Sequence, residues 1–104
     1  NAVQGLRQAK KVIMITLEEA RIVLSRMYGK PVFDSHDFIL TYIREFPYSY
    51  FKILEKYKEV KETDSQIALE LSRNADDLGI EKTGTTESLN ILSNPSECAI
   101  WKRQ

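Results

Sequence analysis

Residues 63 to 103 constrain the fold of this chain more than any other stretch. Thr63-Asp64-Ser65-Gln66 has the pattern of a capping box, in which the Thr hydroxyl accepts from the amide three residues on and the Gln side chain reaches back. Ile67, Ala68, Leu71, Ala75 and Leu78 then recur on one helical face, widened by Leu69. Gly79 suits the left-handed residue that ends a helix, with Ile80 closing an apolar contact behind it. The spacing therefore predicts a helix from Thr63 to Leu78. Beyond it, Glu81 to Thr86 is short of helix formers and Asn94-Pro95-Ser96 signals a turn. Leu89, Ile91 and Leu92 before that turn, and Cys98 to Trp101 after it, predict two or three short strands in an antiparallel hairpin with Trp101 in the core. A competing reading turns Ser96 to Lys102 into a last helical turn.

Upstream, the same signals predict three more helices. Thr16-Leu17-Glu18-Glu19 is another capping box, and Leu17, Ala20, Val23, Leu24 and Met27 form an apolar stripe that runs to about Tyr28, before Gly29. Pro31 disfavours helix at itself and at Lys30, leaving Lys30 to Phe33 as an extended link long enough for a bridge or an edge strand. Asp34 or Ser35 then caps a helix bearing Phe38, Ile39, Tyr42, Ile43 and Phe46, with Asp37 in its first turn. Pro47 suits the first position of a further helix, to about Lys58. That helix is rich in rings; Tyr48, Tyr50 and Tyr57 are read either as packing between helices or as anchors for a partner. Residues 1–14 are read as a linker or an appended remnant and residues 15–104 as one domain, 104 residues being enough for a single modest core.

Composition narrows the function. Fifteen basic and fifteen acidic side chains leave no formal charge, which argues against a polyanion binder held by bulk electrostatics. Residues 1–30 carry six Lys or Arg against two Glu, whereas residues 61–80 carry Lys61 and Arg73 against five acids. Cys98 is the only cysteine, so no internal disulfide forms, and a reducing, cytoplasmic setting is expected. It is read as an inert, partly buried thiol, and His36 as an exposed or capping histidine. No spacing recommends a catalytic set, a metal site or a glycine-rich phosphate loop, so neither enzymatic activity nor a cofactor is expected. The apolar run Val12 to Ile15 is too short to span a membrane.

The order of these elements resembles a winged-helix domain over residues 16 to 103. The expected fold class is accordingly mainly α with a small C-terminal β-hairpin, winged-helix-like, with about four helices. In that family a helix enters the major groove and the wing touches the backbone or the minor groove. The resemblance implies Gln66, Arg73 and Asn74 as readers of base edges, with Lys82, Lys102 and Arg103 holding phosphates of double-stranded DNA. The alternative is a protein-interaction module, for another protein or a second copy of the chain, using Tyr48, Tyr50 and Tyr57.

Overall fold

The computed structural model describes residues 13–104. The expectation for the first twelve residues lies outside that range. Within it, Met14 packs on the core and Ile15 is buried.

Helix α1 spans Leu17–Arg26 and carries the expected capping box: Thr16 Oγ1 accepts from the Glu19 amide at 3.0 Å, and the Thr16 amide donates to Glu19 Oε1 at 3.1 Å. Strand β1 follows at Val32–Asp34. Asp34 ends the strand and caps α2, Ser35–Glu45, through a reciprocal pair of bonds with Asp37. Helix α3, Pro47–Tyr57, starts on its proline and stops at Lys58 in the left-handed region, φ 70°. Helix α4 runs Val60–Arg73 and the short α5 Ala75–Leu78, after which Gly79, φ 67°, turns the chain into the hairpin. Strands β2, Ile80–Leu89, and β3, Pro95–Arg103, complete the order.

The sheet corrects the expected fold class. Instead of a mainly α chain of about four helices with a small C-terminal hairpin, the described residues are 54% helical and 24% strand, with five helices and a three-stranded antiparallel sheet ordered β1-β3-β2. The reason lies in pairing across distance. Val32, Phe33 and Asp34 pair with Lys102, Trp101 and Ile100, so the middle of the chain supplies one edge of the sheet and β3 becomes its centre. The hairpin is also longer than expected. Residues 81–86 lie in β2, because threonines suit a half-exposed pleated surface, and Ile91 and Leu92 lie in the connecting loop. That loop is organised by Asn90, whose Oδ1 accepts from the amides of Leu92 and Asn94 at 2.9 and 3.1 Å.

A second correction concerns the start of α4. Thr63 is no cap: the helix begins three residues earlier, and Thr63 lies fully buried within it, its hydroxyl donating to the Glu59 carbonyl at 2.7 Å. Val60 supplies an apolar residue to the extra turn, which the mixed charges around it obscure in the sequence. The helix then breaks at Asn74, whose side-chain amide donates to the Glu70 carbonyl at 2.9 Å and competes with the backbone ladder.

The core lies between the sheet and the helices. Val23, Phe38, Tyr42, Ile67 and Ile80 are almost wholly removed from water, and Trp101 closes the layer as expected. Its Nε1–H donates to the Ser35 hydroxyl at 3.0 Å, joining the centre of the sheet to the start of α2.

Candidate functional site

Helix α4 turns three faces to three environments. Thr63, Ile67 and Leu71 enter the core at four-residue steps. Lys61, Asp64, Ser65, Ala68, Leu69 and Ser72 line a groove of about 610 Å³, whose other walls are the start of α2 and the β2–β3 hairpin. Gln66 and Arg73 project from the remaining face, because 100° per residue sets them well round the axis from Ala68.

The residues expected to read bases are tied to acids of their own helix. Gln66 donates to Glu62 at 2.9 Å, while Arg73 and Asn74 both donate to Glu70, each at 3.2 Å. Neither Gln66 nor Arg73 lines the groove. Of the expected phosphate holders, Lys82 borders the groove and Lys102 is exposed on β3. Arg103 is a brace: it donates to the carbonyls of Lys30 and Leu24 and lies 5.9 Å from the centre of the Phe33 ring. It ties the end of β3 to the turn before β1.

The aromatic residues of α3 are likewise dispersed. Tyr48 is 82% exposed, whereas Tyr50 is buried and Tyr57 packs partly against the core. Tyr50 donates to Asp64 Oδ1 at 2.9 Å, fixing α3 to the groove face of α4. Burial pushes the Asp64 carboxyl above the ordinary range, opposed by that hydrogen bond and by the charge of His36. The phenol of Tyr50 is pushed upward by burial first and then by its bond to Asp64.

Sequence spacing missed a cluster where the hairpin meets α2. The His36 ring, through Nδ1, lies 2.7 Å from the Ser88 hydroxyl, which lies 3.6 Å from Cys98 Sγ. Asp34, His36 and Cys98 each offer a donor atom, all within 4.8 Å of one another. All three are half-buried. Asp34 and His36 are two residues apart around a helix start, but Cys98 joins them only through the β1–β3 register, in which Asp34 faces Ile100. No local signal carried that pairing.

Among the described residues, no helix is long and apolar enough to cross a membrane. Comparison with protein-family models, with curated proteins and with solved structures found no match.

Proposed function

We propose that this chain is a non-enzymatic interaction module that seats a protein segment in the groove between α4 and the β2–β3 hairpin. The observation that carries this reading is the groove's apolar lining. Ala68 and Ala99 contribute to it over a buried floor that includes Ile39 and Trp101, with Leu69 on the helix and Leu92 on the hairpin loop left 43% and 58% exposed. Apolar side chains of a partner laid there would remove that surface from water, at about 25 cal/mol per Å². Lys61 and Lys82 are offset at the groove by Asp64 and Glu97, which orient a partner without attracting a polyanion. From residue 59 onward, five basic side chains stand against nine acidic ones. Cys98 being the only cysteine supports the cytoplasm as the setting.

Duplex DNA is the second reading. It is favoured by the winged-helix-like order of elements and by Lys61 and Lys82 beside the groove. Two probes separate the readings: a displayed library of random linear peptides panned on the protein, and a fluorescent random-sequence duplex titrated at low and moderate salt. The proposal expects apolar-centred peptides to be enriched and the duplex to stay unbound at micromolar protein. A duplex bound with an affinity that falls steeply with salt, and no enriched peptide, would overturn it.

A further inference from the structure

We propose that Asp34, His36 and Cys98 form a binding site for a borderline-soft divalent metal ion of the zinc class, clamping the β2–β3 hairpin to the start of α2. A thiolate, an imidazole and a carboxylate are the three donor types that zinc takes from proteins, and three protein donors leave a fourth position open. The three donor atoms already lie within 4.8 Å of one another. Closing on an ion with bonds of about 2.0–2.3 Å draws the three donors closer together than they stand here.

Each donor is held by a different device. The cap bonds between Asp34 and Asp37 fix the Asp34 carboxylate, using Oδ1 for the Asp37 amide. The Ser88 hydroxyl holds His36 at 2.7 Å and touches the Cys98 sulfur, supplying the outer contact that orients an imidazole ligand. Strand pairing holds Cys98 on β3, opposite Thr86. On binding, Cys98 releases its thiol proton to solvent. The thiolate and the Asp34 carboxylate then balance the two charges of the ion. The ion would thus cross-link two segments more than sixty residues apart in sequence, beside the groove that His36 and Cys98 also line.

The test uses the whole chain, reduced, freed of reductant by desalting under argon, and titrated with Co(II) and then with Zn(II) against a chromogenic chelator. The expected result is one equivalent of Co(II) with a near-ultraviolet thiolate-to-metal band, displaced by Zn(II). The band should vanish in Cys98→Ser, and Zn(II) affinity should fall at least about tenfold in His36→Gln and in Asp34→Asn. Asparagine still caps a helix, so Asp34→Asn keeps the fold while weakening the donor; circular dichroism of each variant checks this. Absence of the thiolate band at stoichiometric Co(II) would overturn the proposal. So would a Zn(II) affinity unchanged in folded Cys98→Ser and His36→Gln.

Discussion

Arg103 shows how far one residue's work can depart from what its type suggests. A basic residue near the end of a hairpin reads as a phosphate contact, yet its guanidinium is engaged by two carbonyls and the Phe33 ring. Arg103→Ala should therefore lower stability by about 1–2 kcal/mol in urea titrations, because two carbonyls lose a charged donor. Lys102→Ala, at an exposed position, should stay within about 0.5 kcal/mol. Equal, negligible effects at both would remove the brace. Titratable groups make a second claim at this scale. Burial raises the phenols of Tyr42 and Tyr50, assisted by Glu19 and Asp64 respectively, so the unfolded chain loses these protons at lower pH than the folded one. Their contribution is complete below the ordinary tyrosine range, near pH 10, and is lost progressively as pH rises from there toward the raised folded values. Asp64 has the same sign at acid pH: its raised folded value means that its contribution is lost as pH rises above the ordinary aspartate range. The urea midpoint should therefore drop between about pH 9 and about pH 11, and less so in Tyr50→Phe, which has one such phenol fewer. An identical alkaline fall in the two proteins would contradict this.

At the scale of elements, the local signals located most of the helices. Thr16, Asp34, Pro47 and Gly79 each act where their cap or turn chemistry places them, since those signals act within a few residues. Thr63 misled because the same Thr-x-x-Gln spacing also occurs inside a helix, where a Thr hydroxyl bonds back to the carbonyl four residues earlier. Thr63→Asp separates the two roles. At an N-cap the change would be nearly neutral. In the buried interior seen here it should cost about 3–5 kcal/mol, read from the denaturant midpoint, because a carboxylate enters the core unpaired. The partner of β1 and the Asp34, His36 and Cys98 cluster were illegible for one shared reason: both depend on β1 pairing with β3 across nearly seventy residues. A three-residue strand after a proline carries too little alternation to announce its partner.

The whole molecule presents a helix and a hairpin with a groove between them, and the groove rather than either element alone is the proposed binding surface. The expected base-reading residues Gln66 and Arg73 point away from it, and the tyrosines of α3 form no continuous patch around Tyr50, which is buried. The groove was not among the surfaces suggested by the sequence; the fold assembles it from α2, α4 and the hairpin. The central claim is best tested by measuring how a peptide pool enriched on the unmodified protein binds two variants, Leu69→Lys in the groove and Tyr48→Ala on α3. Binding should fall at least about tenfold on Leu69→Lys, since a lysine there puts a charge against the apolar partner surface, and should be unchanged on Tyr48→Ala. Loss on Tyr48→Ala with full binding to Leu69→Lys would move the binding surface to α3 and contradict the groove.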